Sequence, residues 1–166
     1  MSKKTVTAIV IVIIVIAAFG ISYSVSRHSN NQAAPQTPTG SSTNGRSVDL
    51  SGQQLTTLSN SLTSQTDITA LNISNNQISS LPTSIGKMTG LVTLNVENNR
   101  LTTLPSTIGQ LRDLQNADFS NNRLTSLPSE LATLTQLKTL KLGDYKGPPA
   151  DIAQLKTKLP NTRITD

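Results

Sequence analysis

Apolar residues recur in the second half of the chain at a fixed interval. Three blocks begin at Ile68, Leu91 and Leu114, which lie 23 residues apart. Counted from these residues, slots one, four and six are apolar, slots eight and nine are Asn, and an aliphatic-x-x-Leu-Pro follows. Alternation around slots four and six is the period of a β-strand with one apolar side. The pattern therefore predicts one short strand in each repeat.

The blocks carry a specific motif, Leu-x-x-Leu-x-Leu-x-x-Asn-x-Leu followed by Leu-Pro-x-x-Ile-Gly-x-Leu. The chain resembles the leucine-rich-repeat family in its short, 23-residue form, of the small membrane-anchored bacterial type. The resemblance implies an α/β solenoid shaped as a horseshoe segment. A short parallel β-sheet would line the concave face, and 3₁₀ or short helical turns would form the convex face. Stacked coils would share one aliphatic core.

Two further positions of the repeat are given roles by the resemblance and by residue chemistry. The family places its slot-nine Asn inside the turn, where it hydrogen-bonds the backbone of adjacent coils; these residues are Asn76, Asn99 and Asn122. An amide suits this role because it both donates and accepts. Pro after slot fourteen fixes φ and opens the convex segment. Gly86 and Gly109 are expected to act as turn breakers.

The repeat domain is predicted to span residues 45–166, with coils starting at 45, 68, 91, 114 and 137. The first coil is a degraded repeat, since Gln53 replaces Asn at slot nine and Ser59 replaces Pro. Polar substitution is expected in a terminal coil, which has one side in water. Residues 150–159 read as an amphipathic helix that closes the last coil, and residues 162–165 allow a final short strand.

The N-terminal residues 1–25 read as a transmembrane helix. The stretch from Val6 to Val25 has no charge, and with Thr5 it would be roughly 31 Å long as a helix, close to the bilayer core of about 30 Å. Lys3 and Lys4 precede it, which favours a cytoplasmic N-terminus with the repeats outside the cytoplasmic membrane. The alternative is a signal peptide that is cleaved on secretion.

Residues 26–44 have the composition of a flexible linker. They consist of Ser, Asn, Gln, Thr, Gly, Pro and Ala with one Arg and one His, and have almost nothing to bury. Such a sequence is expected to be disordered and would separate the anchor from the repeats.

Charge and residue chemistry narrow the functional classes. The net charge is +5, but residues 45–166 carry 11 basic and nine acidic residues, so most of the excess lies beside the membrane segment. The sequence has no basic stripe interleaved with aromatic residues, so nucleic acid is not expected as a partner. The repeats contain no His or Cys, so they lack the parts of a nucleophilic triad or a metal site. The sequence predicts no enzyme, no cofactor and no metal.

The outward slots three, five and seven of the strands form the candidate binding face, because the resemblance implies that partners bind the concave sheet. The candidate residues are Asn72, Ser74, Thr93, Asn95, Glu97, Asn116, Asp118 and Ser120. The alternative is an ordinary solvated face, since Trp, Tyr and Arg, the usual hot-spot residues, are missing from these repeats' outward slots. A second candidate surface is the basic row of Arg100, Arg123 and Lys146 at slot ten.

These observations predict a non-catalytic, membrane-tethered protein. It would bind a protein, a peptide or an envelope polymer through its concave face, and it is expected to be a monomer. The alternative function is a structural or adhesin-like surface spacer without a defined ligand.

Overall fold

Six short strands lie side by side in one parallel sheet, in the order of the sequence. They are β1 (Arg46–Asp49), β2 (Ile68–Asn72), β3 (Thr93–Asn95), β4 (Asn116–Asp118), β5 (Thr139–Lys141) and β6 (Arg163–Thr165). The computed structural model describes residues 45–166. The predicted anchor 1–25 and linker 26–44 lie outside the described residues. Within residues 45–166, none of the helices has both the length and the apolar character needed to cross a bilayer.

The strands stack in the register that the 23-residue period predicts. Leu71 pairs with Leu94, Leu94 with Ala117, and Ala117 with Leu140. The same slot of successive coils is therefore superposed, and the aliphatic side chains form columns through one continuous core. Leu94, at the centre of the column, has no exposed surface.

The convex side is built from short helical segments. They are α1 (Asn60–Thr63), three 3₁₀ turns (Thr83–Lys87, Ser106–Gln110 and Ser129–Thr133) and α2 (Pro149–Lys158). A Pro with φ of −67° to −69° stands before each 3₁₀ turn, in the conformation that its ring imposes. The predicted parallel sheet and convex turns are thus confirmed. In the first coil Ser59 replaces this Pro and caps α1, accepting a hydrogen bond from the Ser61 N–H at 3.2 Å.

Gly86 and Gly109 lie inside the 3₁₀ turns rather than at breaks between elements. A Cβ on Gly86 would approach the Thr107 carbonyl oxygen to 2.7 Å, and one on Gly109 would approach the Glu130 carbonyl oxygen to the same distance. These glycines are required because adjacent convex turns nearly touch. The expected role as turn breakers is therefore wrong.

The C-terminal end of the core is covered. Helix α2 begins and ends one residue earlier than predicted, and it buries Ile152 and Leu155, with Leu159 buried just after it. The Tyr145 hydroxyl donates a hydrogen bond to the Asp151 carboxylate in the first turn of α2. Burial and the neighbouring carboxylate raise the pKa of Tyr145, so the phenol stays a donor. Strand β6 completes the sheet.

Truncation of the central core residue tests this packing. Leu94→Ala should lower the free energy of unfolding by about 2–5 kcal/mol, because it leaves a cavity that the stacked coils cannot close. The chain has no Trp, so urea unfolding should be followed by far-UV circular dichroism. Thr103→Ala, at an exposed position of the same repeat, is the control and should unfold like the wild type. Equal midpoints for the two variants would contradict the column of buried slot-four residues.

Candidate functional site

The concave face is formed by the outward residues of the six strands. The strand register aligns slot three as Ser47, Ala70, Thr93, Asn116, Thr139 and Arg163. It aligns slot five as Asp49, Asn72, Asn95, Asp118, Lys141 and Thr165. Six strands at about 4.8 Å spacing give a face about 24 Å across. Two polar rows thus run across the coils.

The slot-five row has an internal structural role. In four coils its side-chain oxygen accepts a hydrogen bond from the N–H two residues later, at 2.9 to 3.1 Å: Asp49 from Ser51, Asn72 from Ser74, Asn95 from Glu97 and Asp118 from Ser120. In this Asx turn a backbone N–H donates to a side chain rather than to the backbone of a neighbouring strand, and each of these four strands ends there. One acceptor atom of each residue is therefore already engaged. Sequence reasoning treated the row as wholly available to a partner.

Ser74 corrects the predicted site. It was expected to point outward from the concave sheet, but only 4% of its surface is exposed. Strand β2 ends at Asn72, so the two-residue alternation no longer applies at Ser74. Its hydroxyl accepts a hydrogen bond from the Asn75 side chain at 3.2 Å instead. Ser74 therefore belongs to the turn and not to the binding face.

The charged groups of the concave face are partly paired. The Asp118 carboxylate lies 3.0 Å from the Lys141 ammonium. Burial alone would raise the pKa of Asp118, but hydrogen bonds from Ser120 and the ion pair with Lys141 outweigh it and lower the pKa. Asp118 thus stays ionised, and the ammonium group of Lys141 balances its negative charge. Glu97 accepts only a long hydrogen bond, 3.4 Å, from the Asn121 amide among the described residues, so it is the more available carboxylate.

The slot-three row is the part of the face that remains free. Asn116 is the one predicted site residue that is exposed, and Thr93 is half-buried. Neither side chain takes part in a hydrogen bond within residues 45–166. The predicted residues Asn72, Asn95 and Asp118 lie on the same face and are half-buried; Glu97 and Ser120 follow the ends of β3 and β4 and are half-buried too. The structure therefore brings the slot-three and slot-five candidates together on one face, and the slot-three side chains are the ones available to a partner.

The slot-nine Asn residues link each coil to the one before it. The Asn99 amide nitrogen lies 2.9 Å from the Ile73 carbonyl oxygen of the preceding coil and 3.1 Å from the Val96 carbonyl oxygen of its own. Its oxygen accepts from the Ile78 N–H of the preceding coil at 3.0 Å. Asn76 and Asn122 make the equivalent contacts. All three are buried, so they are structural.

The slot-eight residues carry a constraint that sequence reasoning missed. All five have positive φ, between 54° and 69°: Gly52, Asn75, Asn98, Asn121 and Asp144. Gly, Asn and Asp are the residues that adopt this left-handed conformation most readily. The repeated Asn-Asn pair in the sequence indicated this constraint. The first Asn adopts the left-handed backbone conformation, and the second forms hydrogen bonds with the preceding coil.

Two other surfaces flank the sheet. The basic row of Arg100, Arg123 and Lys146 is exposed, and Lys146 forms a loose ion pair with Asp144 at 3.8 Å. On the opposite edge, where the strands begin, an open groove of about 440 Å³ is lined by nine residues, among them Thr69, Val92, Gln115, Asp67 and Asp113. Sequence reasoning did not identify this groove. It results from the stacking of residues that precede each strand.

No metal-binding group was found in the part of the chain that the structure describes: residues 45–166 contain no cluster of three His, Cys, Asp or Glu with suitable geometry. The side chains that do converge are amides, hydroxyls and single carboxylates. They can donate and accept hydrogen bonds and hold an ion pair. The arrangement is thus suited to recognition.

The model of a leucine-rich repeat region matches residues 45–161 of the chain. The chain belongs to the leucine-rich repeat family. The resemblance seen in the sequence is thereby confirmed. Leucine-rich repeats are protein–protein interaction modules, and proteins of this family typically bind partners without catalysis. None of the curated proteins compared matches the chain.

Two solved structures are similar to this leucine-rich repeat chain. A leucine-rich repeat protein of Leptospira interrogans is 36% identical, with a TM-score of 0.66; the match covers 68% of this chain and 29% of that one. An internalin from Listeria monocytogenes is 25% identical, with a TM-score of 0.55, covering 66% of this chain and 31% of that one. The chain spans less than a third of the length of either protein.

The Asn ladder makes a testable contribution to stability. Asn99→Ala should lower the free energy of unfolding by roughly 1–3 kcal/mol, because buried backbone groups of two coils lose their partners. Asn116→Ala removes the same atoms from an exposed residue and is the matched control. Urea unfolding followed by circular dichroism measures both. If Asn99→Ala unfolds like the control, water replaces the amide and the ladder is not needed.

Proposed function

We propose that this protein is a non-catalytic, membrane-tethered receptor module that binds a protein or peptide through its concave face. The observation that carries the proposal is the free slot-three row beside the engaged slot-five row. The side chains of each row repeat once per strand, at the spacing between neighbouring strands. Such a row suits an extended partner that lies across the coils. The side chains of Thr93, Asn116 and Thr139 would give such a partner both donors and acceptors.

The charges of the face favour a basic or polar peptide over an acidic envelope polymer. Asp118 is neutralised by Lys141, which leaves Glu97 as the available carboxylate near the middle of the face. A basic side chain of the partner would pair with Glu97. Because no Trp or Tyr lies on the strands to act as a large buried anchor, the affinity of a single face is expected to be modest.

Arginine substitutions in the slot-three row test the binding face without touching the Asx turns. The triple variant Thr93→Arg, Asn116→Arg and Thr139→Arg should lose capture of its partner at least tenfold, because bulk and charge then cover the row. The matched control is the convex triple variant Thr83→Arg, Ser106→Arg and Ser129→Arg, which adds the same charge, one residue per coil. Crosslinking and mass spectrometry on native membranes would measure capture by each full-length protein.

The outcomes separate the proposed functions. Loss of capture in the concave variant alone supports the concave site, provided both variants melt like the wild type. Loss in the convex variant alone refutes it. If the wild type itself captures no partner, the alternative of a surface spacer without a defined ligand is favoured.

We propose that the repeats lie outside the cytoplasmic membrane, anchored by residues 1–25 with the N-terminus inside. The support is the uncharged stretch from Val6 to Val25 and the position of Lys3 and Lys4 before it. The alternative remains secretion after signal cleavage.

The topology can be tested in cells. The full-length protein should fractionate with membranes, and protease added after removal of the cell wall should cleave it in the linker 26–44. A cytoplasmic protein examined in the same samples should stay intact and is the control for lysis. Recovery of a soluble secreted form whose N-terminus lies at or beyond residue 20 would contradict the anchor.

A further inference from the structure

The two ends of the sheet are unequal. At the C-terminal end, Leu140 and Leu142 of the last full coil are 0% and 1% exposed, because β6 and α2 cover them. At the N-terminal end, the equivalent slots of the first coil hold Val48 and Leu50, which are only half-buried. Leu55 in the same coil is half-buried too. Within residues 45–166, nothing covers this end.

Strand β1 also presents backbone groups at this end that have no partner among residues 45–166. The Leu50 N–H donates to the Asn72 carbonyl oxygen of β2 at 2.7 Å. Because the hydrogen-bonding direction alternates along a strand, Val48 also faces β2, whereas the N–H and C=O groups of Ser47 and Asp49 point away from it. Both residues are exposed. An edge strand of this kind is a template for pairing with another strand.

The nearest part of the chain is poorly suited to cover this edge. Residues 26–44 contain no Val, Ile, Leu, Met, Phe, Tyr or Trp, and they include Pro35 and Pro38. They have no side chain to pack against the half-buried aliphatic residues, and Pro cannot donate to a ladder. A covering partner must bring aliphatic side chains and a strand edge of its own.

We propose that the partner at this edge is a second copy of the chain, with the two β1 strands paired antiparallel about a two-fold axis perpendicular to the sheet. The strand is self-complementary in this arrangement. Ser47 of each copy lies opposite Asp49 of the other, so the edge-facing backbone groups of both residues exchange hydrogen bonds. Val48 lies opposite Val48 of the second copy, in the non-hydrogen-bonded pair where side chains approach most closely.

The side chains agree with this register. Opposite residues of a sheet share a face, so Ser47 and Asp49 meet on the concave face, where the hydroxyl can donate to the carboxylate oxygen that Ser51 does not engage. On the core side the two Val48 side chains meet, and Leu50 of each copy lies diagonally beside this pair, opposite Arg46 of the other copy. The two concave faces would form one sheet of twelve strands, six from each copy. The dimer departs from the monomer expected from sequence, where the first coil looked like a polar cap.

Cysteine crosslinking tests the register, because the chain has no Cys of its own. Full-length Val48→Cys in membranes should form a disulfide-linked dimer under mild oxidation, since the paired Cβ atoms would lie near the 3.5–4.5 Å that a disulfide needs. Thr56→Cys, exposed in the same coil, is the collision control and should give at least tenfold less dimer. Ser47→Cys mixed with Asp49→Cys should crosslink more than either variant alone.

A second variant tests the dimer without a crosslink. Ser47→Pro removes an N–H that faces the open edge, which Pro tolerates, so the fold should survive and the dimer should be lost. Sedimentation of the full-length protein in detergent should show a dimer for the wild type and a monomer for Ser47→Pro, with equal melting curves. A monomeric wild type, or Val48→Cys dimer no more abundant than Thr56→Cys dimer, would overturn the proposal. Both results are independent of whether the concave face captures a partner.

Discussion

One amide side chain in each of the three central coils, Asn76, Asn99 or Asn122, joins that coil to its predecessor. The buried Asn at slot nine donates to carbonyl groups of two coils and accepts from a backbone N–H of the preceding one. These backbone groups lie where the chain leaves the strand, beyond the reach of the hydrogen bonds that join neighbouring strands. Without the amide they would be buried and unpaired, which is costly. The columns of aliphatic residues and the parallel sheet depend on the coil spacing that these contacts hold.

Much of this fold was predictable because its rules are periodic. The aliphatic slots, the Asn ladder, the convex turns after Pro and the capping helix all follow from residue type at a fixed spacing. The features that could not be predicted depend on distances between coils. The fit of Gly86 against Thr107 is one case. The burial of Ser74 is another, because it depends on where strand β2 ends.

The two rows of the concave face have different roles. Slot five holds Asx side chains that end the strands, so its sequence is restricted by the fold. Slot three has no such restriction in the central coils and can vary with the partner. The candidate residues predicted from slots three and five do lie on one face of the sheet, but the prediction gave the two rows equal weight. A period shows which side chains point outward, and it does not show which of them already have a partner.

The unequal ends of the solenoid give it a direction of mechanical failure. Each coil is stabilised mainly by its neighbours, and the first coil has a neighbour on one side only among residues 45–166. The chain leads from this coil toward residues 1–44, so tension on that segment acts first on β1. Its hydrogen bonds to β2 would break in succession, as in a zipper, while the Tyr145–Asp151 contact and α2 hold the far end closed. Under tension the solenoid would unwind coil by coil from its N-terminal side.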